Sequence, residues 1–179
     1  MFYSVQREFP IGKLTMACDD THLVGVWIEG QKYFAGSLTD ELHSVERHPI
    51  LEQAAAWLEK YFGGGMPSPK ELPLAPIGSA FRQSVWNILC EIPYGEVTTY
   101  GAISRRIAAE MGRETMSAQA VGGAIAHNPI MIIIPCHRVV GTDGSLTGYA
   151  GGMEVKQRLL VLEGVKGYAN LDNSGVSAQ

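Results

Sequence analysis

Apolar and polar positions alternate along two short stretches near the start of the chain, Lys13–Ala17 and Leu23–Ile28, on either side of Cys18-Asp19-Asp20-Thr21. Successive side chains of an extended strand point to opposite faces, so this pattern predicts a hairpin within a small antiparallel sheet. The period then changes. From Pro49 to about Phe62 the apolar residues Leu51, Ala55, Leu58 and Phe62 recur at three- and four-residue spacing. That predicts a helix with Pro49 in its first turn and Gly63-Gly64-Gly65 at its end. The stretch 63–76 holds three glycines and four prolines and reads as the linker between two domains, 1–75 and 76–168.

Beyond the linker, Ser79–Leu89 reads as a helix with Phe81, Val85, Ile88 and Leu89 apolar, and Pro93-Tyr94-Gly95 turns the chain. Thr98 or Thr99 caps a helix through Ile107 and Ala108, and Ser117 caps another that Asn128-Pro129 stops near Ala126. The run Ile130–Ile134 is apolar and β-branched, which predicts a short buried strand. A last helix over Val155–Glu163 closes at Gly164. The tail, 169–179, is rich in Asn, Ser and Gly and is expected to fray. No internal repeat is present.

Composition narrows the class. Residues 1–10 carry Arg7 and Glu8 without an apolar core, so no signal peptide is read there, and the run 130–134 is far too short to span a bilayer. Three cysteines at unrelated spacings, Cys18, Cys90 and Cys136, argue against a disulfide framework and for a cytoplasmic location. The net charge of -4 is unevenly placed: residues 1–80 carry -4, residues 81–141 carry +1 and the remainder -1. Any contact with nucleic acid therefore belongs to the middle segment, with a weak electrostatic contribution.

The chemistry sits in Asn128-Pro129-Ile130-Met131-Ile132-Ile133-Ile134-Pro135-Cys136-His137-Arg138. A buried segment delivers a cysteine between a proline and a histidine. The thiolate is the competent nucleophile, and a nearby imidazole can take the thiol proton. Adjacent residues on an extended chain face opposite ways, so a turn or a bridging water is needed for the two to cooperate.

Around these residues the sequence closely resembles the O6-alkylguanine-DNA alkyltransferases, the methylated-DNA–protein-cysteine methyltransferases. The resemblance is carried by Pro135-Cys136-His137-Arg138-Val139-Val140, Asn128-Pro129, Gly148-Tyr149-Ala150-Gly151-Gly152, Gly95–Gly101 and Ala120–Ala124, and it is continuous from about Phe81 to Gly164. It implies an α/β N-terminal support domain with a small, largely antiparallel sheet, and a mostly helical C-terminal domain containing a helix-turn-helix. It also implies a DNA repair protein that moves an alkyl group from O6-alkylguanine, and from O4-alkylthymine as a further substrate, irreversibly to its own cysteine, once per molecule. In that scheme Cys136 is the acceptor, His137 the base acting through a water, and Glu163 the carboxylate that orients His137. Asn128 braces the turn before the cysteine, and Tyr100 rotates the target phosphate and donates toward guanine N3. Thr98, Thr99, Ser117, Ala118, Gln119, Arg138, Gly148 and Tyr149 fall to the DNA and base contacts. No cofactor is implied, and no dinucleotide or phosphate-binding loop is present. Cys18 and His22 do not form a four-ligand metal set.

The expected partner is double-stranded DNA bearing O6-alkylguanine, met by a monomer without a membrane or small-molecule cofactor. The target base must leave the stack to be reached. Ser117–Ala124 is nearly devoid of bulk and charge, which fits minor-groove docking by close backbone approach, or tight helix packing within the protein. Many members carry arginine at the position of Gln119, which here lacks the charge and the flat stacking surface. Weaker DNA binding or slower base flipping is the expectation. A non-catalytic damage-binding protein on the same scaffold is the alternative function, and the retained Cys136 argues against it. A multiple-turnover cysteine hydrolase would need an oxyanion hole as well.

Overall fold

The computed structural model describes residues 1–169, so most of the tail expected to fray lies outside the described residues. The chain divides into two compact units: one holds residues 1–78 and 129–133, the other residues 79–128 and those from 134 onward. None of the described helices is long and apolar enough to cross a membrane.

In the first unit four strands, β1 (Phe2–Phe9), β2 (Gly12–Cys18), β3 (Leu23–Ile28) and β4 (Leu42–Ser44), form a sheet of order β3-β2-β1-β4. The pairs β1/β2 and β2/β3 are antiparallel, and β4 joins β1 in parallel, with Phe2 opposite Leu42. The sheet is thus largely antiparallel. The hairpin predicted from the alternating pattern is β2–β3, yet both strands are buried on both faces: Leu14 to Cys18 and all of Leu23–Ile28 are inaccessible. Helix α1 runs over Pro49–Phe62, with His48 capping its first turn, and buries Leu51, Ala54, Ala55, Trp57, Leu58 and Tyr61. Its buried stripe is rotated slightly from the expected one, leaving Phe62 half-buried against Phe9.

The glycine- and proline-rich stretch read as a linker is tied down. Leu23 N–H donates to the Pro73 carbonyl (2.7 Å) and Ala75 N–H to the Leu23 carbonyl (2.8 Å). Val26 makes the equivalent pair of bonds to Pro129 and Met131, both at 2.9 Å. These segments satisfy the outer edge of β3, which would otherwise present unpaired backbone groups.

The second unit is mostly helical: α2 (Ala80–Leu89), α3 (Tyr100–Glu110), α4 (Ala118–Ala126) and α5 (Met153–Leu162). Ser79, Thr99 and Ser117 accept backbone N–H bonds at the starts of α2, α3 and α4, satisfying donors that a helix leaves open. Of the two candidate caps for α3, Thr99 is the one used. A two-residue parallel ladder joins β5 (Thr98–Thr99) to β6 (Val139–Val140). Helices α3 and α4, linked by residues 111–117, form the helix-turn-helix. The Trp86 indole of α2 donates to the Ala124 carbonyl at 2.8 Å, locking α2 to α4.

Candidate active site

The strand expected over Ile130–Ile134 is not a strand. All five residues are buried, but only Ile130 makes a bridge, to Val26; Met131–Ile133 form turns and Ile134 a bend. Ile132 has φ of +71°, and Ile133 N–H donates to the Met131 carbonyl at 2.8 Å. That is a γ-turn in the region β-branched residues avoid. Pro135, at φ -83° and ψ 64°, centres an inverse γ-turn in which Cys136 N–H donates to the Ile134 carbonyl at 2.8 Å. Asn128 explains the departure. Its side-chain N–H donates to the Ile134 carbonyl at 2.8 Å, whereas six extended residues would carry that carbonyl about 20 Å away. An apolar run reports burial, not conformation.

The doubled-back chain presents Cys136 and His137 on a 3₁₀ turn, Cys136–Arg138, rather than on opposite faces of a strand. Cys136 is 4% exposed. Burial pushes its thiol up, while the Asn128 side chain and the charge of Lys156 pull it back. His137 is fully buried, and its Nε2 lies 2.6 Å from Glu163 Oε2. Burial holds the imidazole below its usual range. The Glu163 bond opposes this, and the charges of Arg138 and Lys156 reinforce it.

Glu163 is the C-cap residue of α5. Burial alone would raise its carboxyl, but bonds from His137 and Arg138 bring it down to about 2. Gly95 N–H also donates to Oε1 at 3.0 Å. Gly95 has φ of +80°, and a Cβ there would sit 3.1 Å from the Glu163 carbonyl, so the turn Pro93-Tyr94-Gly95 needs glycine twice over.

Arg138 corrects an expectation. Placed among the DNA contacts by resemblance, it is 5% exposed and committed inside the protein. Its Nε reaches Glu163 Oε1 at 2.8 Å, one terminal nitrogen reaches Oε2 at 3.1 Å, and the other donates to the Ile92 carbonyl at 2.7 Å. Three of the five guanidinium donors are thus held by protein acceptors, with the residue 5% exposed.

The glycine-rich segment Gly144–Gly152 is pinned near the thiol. Tyr100 donates its hydroxyl to the Thr147 carbonyl (2.9 Å) and reaches the Gly148 carbonyl (3.2 Å). Lys156 Nζ donates to the same Thr147 carbonyl at 2.8 Å. The Tyr149 hydroxyl is buried, and burial, then the proximity of Cys136 and Glu163, raises it well above the usual phenol range. Lys156 went unnoticed in the sequence. It is fully buried, and burial lowers it to about 8. The signal was there: position 156 falls three and four residues before the buried Leu159 and Leu160, so this lysine sits on the apolar stripe of α5.

The proposed DNA-facing residues divide. Ser117, Ala118, Gln119 and Ala120 are exposed on the first turns of α4. A Cβ added at Gly122 or Gly123 would meet nothing within 4 Å. Tight packing inside the protein therefore does not account for these small residues. Thr98 and Thr99 are half-buried in the β5/β6 ladder, and the Thr99 hydroxyl is spent on the α3 cap. Among the described residues no group of three or more His, Cys, Asp or Glu side chains could hold a metal ion.

Residues 80–165 match the family profile described as the DNA binding domain of 6-O-methylguanine DNA methyltransferase, and residues 1–76 match its ribonuclease-like domain. The chain belongs to this family. It is 43% identical to a methylated-DNA–protein-cysteine methyltransferase of Methanosarcina acetivorans over 92% of this chain and 99% of that protein. It is 38% identical to one of Haemophilus influenzae, over 90% of this chain and 86% of that one. Among solved structures, Mycobacterium tuberculosis OGT in complex with DNA superposes with a TM-score of 0.75 at 37% identity, covering 90% of this chain and 91% of that one. These likenesses span both units, so the family assignment does not hang on the cysteine motif alone.

Proposed function

We propose that this protein repairs DNA by transferring the alkyl group of O6-alkylguanine, and of O4-alkylthymine as a secondary substrate, to Cys136, once per molecule. The observation that carries this reading is the convergence on one buried turn of a cysteine, the Asn128 amide and the Lys156 cation, beside a histidine held by a carboxylate. The names of the relatives agree with it.

At rest the thiol keeps its proton, since burial raises the thiol and lowers the imidazole. With Nε2 engaged by Glu163, Nδ1 of His137 takes the thiol proton through a water. The sulfur then attacks the alkyl carbon in line. The S–C bond forms as the C–O6 bond breaks, and the electron pair leaves with guanine. Tyr100 exchanges its loop acceptors for guanine N3 and donates there. The proton on His137 replaces the one Tyr100 gives up, so guanine finally carries the proton the thiol lost. The thioether product resists cellular reductants, so the acceptor is consumed.

The exposed start of α4 docks in the minor groove, where Ala118, Ala120 and the open backbone at Gly122 and Gly123 allow close approach. Gln119 enters the space of the flipped base, with Ser117 beside it, and Gly148 and Tyr149 line the base pocket. The protein works as a monomer in the cytoplasm without a cofactor.

Intact-protein mass spectrometry after incubation with an O6-methylguanine oligonucleotide tests this reading. One added methyl per molecule, absent in Cys136→Ser, is expected. Tight lesion binding with no mass change would replace the transferase by a damage-binding protein.

A further inference from the structure

The buried groups around His137 come in a particular charge count. Arg138 from its own turn and Lys156 and Glu163 from helix α5 act on the imidazole directly. Around these lie Cys136, Tyr149 and Tyr100, which act on one another or on Glu163, and Tyr94, which meets Glu163 and Arg138. Only one of these, Glu163, is an anion at rest; the guanidinium donates to both of its oxygens and the imidazole meets Oε2. A buried carboxylate needs a counter-ion, and two candidates touch it. The fork of Arg138 supplies the charge in fixed, bidentate geometry, anchored behind by the Ile92 carbonyl and stacked 5.7 Å from the Tyr94 ring. The imidazole therefore has no need to be protonated.

We propose that Arg138 is a positioning residue of the alkyl-transfer site: by serving as the counter-ion of Glu163, it keeps His137 neutral at rest and so able to accept the Cys136 proton. Without that charge, the His137 imidazole, 2.6 Å from Oε2, is left to balance the carboxylate by taking up a proton, and an imidazolium–carboxylate pair is no longer a base. The direction in which Arg138 shifts His137 agrees. Lys156 does not substitute, because its ammonium is bonded to the Thr147 carbonyl rather than to Glu163. The inference rests on the reading of His137 as the base.

The test titrates the His137 imidazole by ¹⁵N NMR in the full chain, alongside single-turnover methyl transfer from an O6-methylguanine duplex across the same pH range. In the wild type the His137 midpoint is expected below 6.5. In Arg138→Gln it rises by one unit or more, and transfer at neutral pH slows about tenfold for each unit above ambient pH, recovering as pH is raised. Arg138→Lys keeps the charge and holds the midpoint below 6.5, although transfer slows from loss of the fork. If Arg138→Gln does not fold, the double variant Arg138→Gln/Glu163→Gln removes both charges and returns the midpoint below 6.5. An unmoved midpoint in folded Arg138→Gln overturns the proposal, as does a midpoint above 6.5 in Arg138→Lys or in the double variant. A midpoint that moves as expected while the rate profile stays put upholds the charge balance and removes His137 from the role of base.

Discussion

Two buried cysteines of this protein lie beside a histidine, and the charges around the two differ in sign. Cys18, at the end of β2, is 3.4 Å from Nδ1 of His48, a direct contact. Yet burial, followed by the charges of Asp19 and Asp20, raises its thiol to about 12. His48 is committed to helix architecture: the same nitrogen accepts the Ile50 N–H at 3.2 Å to cap α1, and its ring stacks on Tyr3 at 5.3 Å. Cys136 is as thoroughly buried, but its surroundings have the opposite sign, with Lys156 and the Asn128 amide favouring the anion. Proximity of a histidine does not make a nucleophile; the sign of the charges around the sulfur does.

The sharpest way to break this comparison is to remove each sulfur in turn. Cys136→Ser is expected to abolish methyl transfer. Cys18→Ser should leave the transfer rate within about twofold while lowering stability, since substituting a buried group costs about 1 kcal/mol or more. Comparable losses of transfer from both variants, in folded protein, would show that the contrast drawn from charge is wrong.

Next in size is the cation. Lys156→Gln removes a buried positive charge that acts directly on the Cys136 thiol. The thiol should rise further, and transfer at neutral pH should fall by about tenfold or more, with the loss shrinking as pH climbs. A deficit constant across pH would instead mean that Lys156 matters only for pinning the Thr147 carbonyl.

Much of this arrangement was legible before any coordinates. Pro49, Ser79, Thr99, Ser117 and Gly164 mark helix boundaries through local chemistry, and α1 starts and stops where its sequence punctuation says. Cys136, His137, Asn128 and Glu163 could be assembled from family resemblance, and the structure does bring them together. What escaped depends on tertiary context. Strand β1 was not anticipated, because its pairing is decided by β2 and β4 rather than by its own pattern. The turns at 130–134 arise from a side-chain bond six residues long, invisible to periodicity. Arg138 was misplaced because an arginine beside a nucleophile reads as a ligand contact until its carboxylate partner, 25 positions away, is seen.

Titrating the fold sharpens the contrast further, since Glu163 and Cys18 act on opposite limbs of the stability–pH curve. Glu163 is held at about 2 when folded against an ordinary 4.5, so its contribution is present above about 4.5 and disappears as pH falls through about 2. His137, depressed when folded, acts in the same direction below 6.5. Glu163→Gln should therefore flatten the acid limb. Cys18 has the opposite linkage: its folded value, about 12, lies above the ordinary 9, so its contribution is present below about 9 and is lost as pH rises toward 12. Cys18→Ser should flatten the alkaline limb, where Lys156, lowered to about 8, works against the thiols between about 8 and 10.5. Denaturant midpoints at several pH values read both slopes, and an alkaline limb unchanged in Cys18→Ser would contradict the burial of that thiol.

The smallest effect belongs to His48, and it discriminates because the histidine touches a thiol without serving it. His48→Ala removes the acceptor that caps α1, the ring stacked on Tyr3 and the contact with Cys18. Loss of a cap costs about 0.5–2 kcal/mol, so the thermal midpoint should fall by a few degrees. Methyl transfer measured well below that midpoint should be unchanged. His48→Asn, which restores a capping oxygen but not the ring, should recover most of the stability. If it does, the Cys18–His48 pair is helix architecture that happens to contain a sulfur. If His48→Ala instead slows transfer in stable protein, the first unit contributes to the chemistry through a route that the charges around Cys18 do not suggest.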